Sequence, residues 1–200
     1  MVIGEKFIWM HIGKTGGDAT HAYFSYFKNI LKLEIDDTTQ HRKHQALFER
    51  GVNHEGKLLI LNIRRLPYFI LSQVHHHSMQ NKIDFVNDII YSLEKTINGY
   101  AIGTLANYYI NFYTKNGSLK IDRWFRCEYL LDDFADFIME YVDIPRDKLI
   151  TKLSKIPTKV RLVYALDLNY YWEPKHLKLM YENNPLWTVI EEQCYGNLLC

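Results

Sequence analysis

Five residues near the start of the chain, Gly13-Lys14-Thr15-Gly16-Gly17, join three glycines to an amine and a hydroxyl. In a turn of this composition backbone N–H groups can converge on an anion. Glycine permits the positive φ such a turn needs, and a helix starting directly afterwards adds its positive end. Lys14 supplies a mobile positive charge and Thr15 a hydroxyl donor. The chemistry this suits is the binding of a phosphate or a sulfuryl group. A nucleotide-triphosphatase loop, G-x-x-x-x-G-K-[ST], would need glycine at position 8; Ile8 stands there, and the glycines follow the lysine instead.

Other residues able to do chemistry are scattered along the chain. The run Asn62-Ile63-Arg64-Arg65 ends an apolar stretch without the aspartate that would hold magnesium, which argues against a magnesium-ATP site. Arg64 is followed eight residues later by Ser72. His41 and His44 are three apart and can share a helix face. His11 precedes the glycine loop and reads as a core histidine, and Glu128 as a solvated carboxylate. His75-His76-His77 splay over ~200° of a helix and cannot all ligate one ion, so they read as a solvated helix end and no metal is expected. Lys155, Lys159 and Arg161 form a basic stretch suited to an anionic ligand or to solvent.

Elements must carry these groups. Lys6 to Ile12 is a short apolar run that reads as a buried strand, broken by Gly16-Gly17. From Asp18, an expected N-cap, Tyr23, Phe27, Ile30 and Leu31 fall on one helical face. Residues 41–51 read as a short helix closed by Gly51, and 57–63 as a second buried strand. Pro67 suits the first turn of a helix running towards His77. A strand is expected over 121–127, followed by a stripe of Phe134, Phe137, Ile138 and Tyr141. Phe85, Ile89, Ile90 and Leu93 form another helical stripe, and two short helices start near Pro174 and Pro185. The order strand, loop, helix, strand, helix gives an α/β fold. It has a central parallel sheet flanked by helices, a phosphate-loop-like opening and a helix-rich C-terminal half. The aromatics around Tyr108-Tyr109, Phe112-Tyr113 and Tyr170-Tyr171-Trp172 read as core and cleft wall.

The 200 residues suit a single domain over 1–200, with 48% hydrophobic and 24% charged residues. A net charge of +1 argues against a general nucleic-acid binder. Cys127, Cys194 and Cys200 are odd in number and widely spaced, a poor disulfide framework that suits reduced thiols in the cytoplasm. No targeting segment or membrane span is expected.

His11-Ile12-Gly13-Lys14-Thr15-Gly16-Gly17 resembles the 5′-phosphosulfate loop of the sulfotransferase superfamily, H-x-P-K-T-G-G-[TS]. Arg64 with Ser72 resembles that family's 3′-phosphate site. Phe125-Arg126-Cys127-Glu128-Tyr129-Leu130 is similar to its late Y-E-x-L strand, and Tyr170 to Gly196 to its C-terminal segment. The resemblance implies 3′-phosphoadenosine 5′-phosphosulfate as donor and adenosine 3′,5′-bisphosphate as product. It implies a hydroxyl or amine acceptor on a small molecule or carbohydrate. Gly13, Lys14, Thr15, Gly16, Gly17 and Asp18 would lie at the 5′ end of the donor, Arg64 and Ser72 at its 3′-phosphate, and Lys14 with His41 or His44 would be catalytic. Three departures stand out. Gly13 replaces the proline; Asp18 replaces a threonine or serine and puts a carboxylate near an anion; and the spacing to Ser72 selects Arg64 while the proline selects Arg65. Competing readings are a kinase with a degenerate loop and a non-catalytic nucleotide-binding module of the same fold.

Overall fold

Apolar runs whose side chains alternate between two faces build the sheet. Phe7 and Trp9, then Ile60 and Asn62, then Phe125 project to one face, and all five are buried. Ile8, Met10, Leu59, Leu61 and Ile63 are buried on the other. A computed structural model describes residues 1–36, 46–79, 96–97, 100–158 and 167–199. The strands are β1 (Val2–Ile3), β2 (Phe7–Met10), β3 (Ile35–Asp36), β4 (Leu58–Ile63), β5 (Thr96–Ile97), β6 (Tyr100–Ala101) and β7 (Arg123–Arg126). The α-helices are α1 (Gly17–Tyr26), α2 (Leu66–Met79), α3 (Leu105–Tyr113), α4 (Leu130–Ile138), α5 (Arg146–Leu153), α6 (Pro174–Asn183) and α7 (Pro185–Tyr195).

The main sheet has the order β3-β1-β2-β4-β7. β2, β4 and β7 are parallel, with Met10 opposite Leu61 and Ile63 opposite Arg126. The expected α/β fold with a central parallel sheet is therefore present. It gains two antiparallel strands, β1 and β3, each two residues long and too short to show a period in sequence.

Contacts divide the chain into two compact units that alternate along it. The first comprises Met1–Ile63 and Tyr113–Val160, the second Arg64–Phe112 and Arg161–Cys200. The first holds the sheet, α1, α4 and α5 around an aromatic core. Phe24 of α1 stacks on Phe7 at 5.2 Å and meets Phe134 of α4 edge-on at 5.0 Å, while Phe137 meets Phe125 at 5.6 Å. Each such pair adds about 0.5–1.5 kcal/mol to what burial alone supplies. The stripe expected in this region is thus the core face of α4, although the helix ends at Ile138 and Tyr141 lies beyond it. In the second unit Phe69 of α2 packs on Trp187 of α7 at 4.5 Å.

Prolines start helices as expected, at Pro67 in the first turn of α2 and at Pro174 and Pro185 in α6 and α7. The short helix expected over 41–51 is a 3₁₀ turn, Leu47–Arg50, closed by Gly51 at φ +59°. Residues 41–45 and the stripe of Phe85, Ile89, Ile90 and Leu93 lie outside the described residues.

Candidate phosphate-binding site

The glycine loop joins β2 to α1 and carries two left-handed residues. Lys14 has φ +70° and Gly16 φ +86°. Left-handed residues in such a turn cup the backbone N–H groups into a concavity. Side chains at φ > 0 are strained, and Lys14 shares that conformation with Lys32, Lys115 and Asn116. Gly17 is required for a different reason: a Cβ on it would sit 1.7 Å from His11 Nε2. Gly13 is half-buried at the start of the turn.

Helix α1 begins without a side-chain cap. Its N-cap is Gly16, and the amides of Gly16, Gly17 and Ala19 meet no acceptor among the described residues. The expected N-cap, Asp18, is instead an exposed residue of the first turn, because the left-handed Gly16 takes the cap position. Thr15 also differs from expectation. It is fully buried and its hydroxyl donates to the Ile12 carbonyl at 2.8 Å, which ties the loop to the end of β2. Its hydroxyl is thus a brace of the turn.

Asn62, on β4, holds the loop in place. Its amide donates to Thr15 O at 3.0 Å and to Thr20 Oγ1 at 2.7 Å, while its Oδ1 accepts from Trp9 Nε1 at 2.6 Å. All three bonds are buried, and Thr20 Oγ1 in turn donates to Gly16 O at 3.1 Å. Asn62 therefore sits where the sequence had shown a missing aspartate, and it serves the loop with an amide rather than a carboxylate. His11 is a core residue as expected, buried and stacked on Trp9 at 5.5 Å, and its carbonyl accepts from Tyr113 at 2.6 Å. Cys127 lies under the loop: a Cβ on Gly16 would meet its Sγ at 3.2 Å.

In the second unit the two candidate arginines separate. Arg65 is engaged internally, donating to Asn197 O and to Asn197 Oδ1 at 2.9 Å, lying 3.5 Å from Glu191 and sitting 4.1 Å over the Tyr195 ring. Arg64 has its carbonyl bonded by Trp187 Nε1 at 3.0 Å. Ser72 is half-buried in the second turn of α2, and the neighbouring Gln73 bonds Tyr109. Glu191 is buried among Leu66 N–H (2.7 Å), Tyr181 Oη (2.9 Å) and Arg65; burial pushes its carboxyl up to about 7 against the pull of those donors. Burial also raises the Tyr181 phenol. No motif marked Glu191, because its role is set by residues more than a hundred positions earlier.

His41 and His44 lie outside the described residues, as do Lys159 and Arg161. Lys155 lines an open cleft of about 200 Å³ with Tyr26, Lys152, Ile156 and Pro157. Glu128 is exposed, as expected. His77 is buried rather than solvated and packs edge-on against His76, since α2 continues past it to Met79. Among the described residues no three metal-ligating side chains cluster, and no helix is long and apolar enough to cross a membrane. No protein-family model matches the chain, and neither a curated protein nor a solved structure matches it.

Proposed function

We propose that the protein is a sulfotransferase that moves a sulfuryl group from 3′-phosphoadenosine 5′-phosphosulfate to a hydroxyl or amine acceptor. The observation that carries this reading is the uncapped start of α1, where the amides of Gly16, Gly17 and Ala19 meet no acceptor among the described residues beside a left-handed Lys14. Such a start favours an anion. The resemblance of the loop to the sulfotransferase signature names which anion. Asn62 in place of an acidic residue supports a metal-free reaction over magnesium-ATP chemistry.

The donor supplies an activated sulfuryl group. The acceptor oxygen or nitrogen bonds to sulfur as the bond from sulfur to the bridging phosphate oxygen breaks, and that electron pair leaves with adenosine 3′,5′-bisphosphate. The loop amides hold the 5′-phosphate, and Lys14 neutralises charge gathering on the leaving oxygen. Arg64 and Ser72 take the 3′-phosphate, with Arg64 preferred to Arg65 because it stands eight residues before Ser72. His41 or His44 receives the acceptor proton. Small-molecule or carbohydrate acceptors fit this chemistry, and a cytoplasmic setting fits three widely spaced cysteines.

Thermal unfolding with adenosine 3′,5′-bisphosphate, adenosine 5′-phosphate and magnesium-ATP tests the reading. The bisphosphate alone is expected to raise the midpoint by roughly 5–10 °C at about a hundred times its Kd. A shift with magnesium-ATP alone would move the assignment to a kinase. No shift with any of the three would leave a module that does not bind this donor class.

A further inference from the structure

The unit that holds the sheet has a cleft at the opposite end of α1 from the glycine loop. Gly17 opens α1 and Tyr26 closes it, which separates the two by about 14 Å at about 1.5 Å per residue. Tyr26, Lys152, Lys155, Ile156 and Pro157 line this open cleft of about 200 Å³, and none of them is acidic. The Tyr26 ring is 58% exposed and rests edge-on against the buried Phe27 at 5.0 Å. Ile156 is half-buried and packs on the core, so the apolar part of the wall is anchored from beneath.

The two lysines are not needed to close α5. A helix ends on four carbonyls without intrahelical partners, which basic side chains often serve. Here other donors reach all four. Ser154 N–H donates to Ile150 O at 2.9 Å and Ser154 Oγ to Thr151 O at 3.1 Å. Lys155 N–H donates to Lys152 O at 3.3 Å, and Ile156 N–H to Leu153 O at 3.0 Å. Arg146, at the start of the same helix, holds Asp132 and Asp136, whereas neither lysine ammonium has an ion pair among the described residues. We propose that this cleft binds a small aromatic acid, its ring against Tyr26, Ile156 and Pro157 and its carboxylate on Lys152 and Lys155. Volume sets the size of the ligand. A void of about 150 Å³ holds benzene. The cleft therefore admits one ring with an acidic substituent, and it falls below the ~300 Å³ at which pockets for larger ligands begin. The ring side supplies burial and the lysine side selects the charge. Nothing in this assignment depends on which donor the glycine loop takes.

Amide-resolved NMR of the full chain, titrated with benzoate, benzamide and acetate, tests the assignment. Benzoate is expected to shift the Tyr26, Lys152, Lys155 and Ile156 amides saturably, with a Kd on the order of 1 mM. Benzamide keeps the ring and loses the charge; acetate keeps the charge and loses the ring. Each is expected to bind about fivefold more weakly or worse. The Lys152→Gln/Lys155→Gln variant changes two exposed side chains and keeps the fold. It is expected to weaken benzoate about fivefold and to leave benzamide within about twofold. Tyr26→Ala is expected to weaken both aromatic ligands. No saturable shift with benzoate, equal binding of benzoate and benzamide, or an unaltered benzoate Kd in the lysine variant would overturn the proposal and leave the lysines as a solvated face.

Discussion

Lys14 in the loop and Asn62 on β4 are expected to divide chemistry from support. Lys14 is strained and half-buried, and Asn62 is buried with three hydrogen bonds. Lys14→Ala is expected to abolish transfer with the fold intact, because alanine inherits the same left-handed backbone. Lys14→Gly is expected to abolish transfer and yet raise stability by about 0.5–1 kcal/mol, because only glycine occupies that conformation without strain. Paired turnover and urea-unfolding measurements check both, and a folded Lys14→Ala with wild-type turnover would remove the mechanism. Asn62→Ala should do the reverse, destabilising by about 2–4 kcal/mol as it strands Thr15 O and Trp9 Nε1 in the core and takes one donor from Thr20 Oγ1. The glycine loop was legible in sequence because positive φ and close approach are local demands that only certain residues meet. Asn62 was not, because its partners stand 42 to 53 positions away and nothing in the neighbouring residues announces them.

At the scale of elements, what is written locally could be read and what is written by packing could not. Prolines announced α2, α6 and α7. Asp18 looked like a cap by residue type, yet the geometry of Gly16 decided where α1 begins. The partners of Arg65 could not be read locally, because Glu191 and Tyr195 of α7 come from the far end of the chain. Arg65→Ala is therefore expected to destabilise by about 2 kcal/mol. That lies below the cost of stranding a permanent buried charge, because Glu191 can take a proton instead. Glu191 also gives the stability a pH dependence. Its carboxyl is raised to about 7 in the folded chain, so its contribution is complete below the unfolded carboxyl value and is lost as pH rises through about 7. Between about pH 5 and about pH 8 the unfolding midpoint of wild type should fall more steeply than that of Glu191→Gln, and parallel profiles would refute the assignment.

At the scale of the whole molecule, the chain weaves its two compact units from alternating segments. Composition and length had suggested a single domain over 1–200. An alternating division leaves no linker for a sequence reading to find, since neither unit is one continuous stretch. The pattern of burial, in contrast, was readable: apolar runs at 7–10 and 58–63 became the paired centre of the sheet. A change of period at the glycines marked where strand gives way to helix.

The parallel pairing of β4 with β7 sets a timetable for synthesis. Leu59 bonds Asp122, 63 positions later, so β4 waits for a neighbour while the intervening chain is made. At roughly 5–20 residues per second that wait lasts about 3–13 seconds. Throughout it, one side of an apolar strand offers unpaired N–H and C=O groups to any passing chain. A ribosome stalled between the two strands would hold a nascent chain that needs a chaperone to stay dispersed.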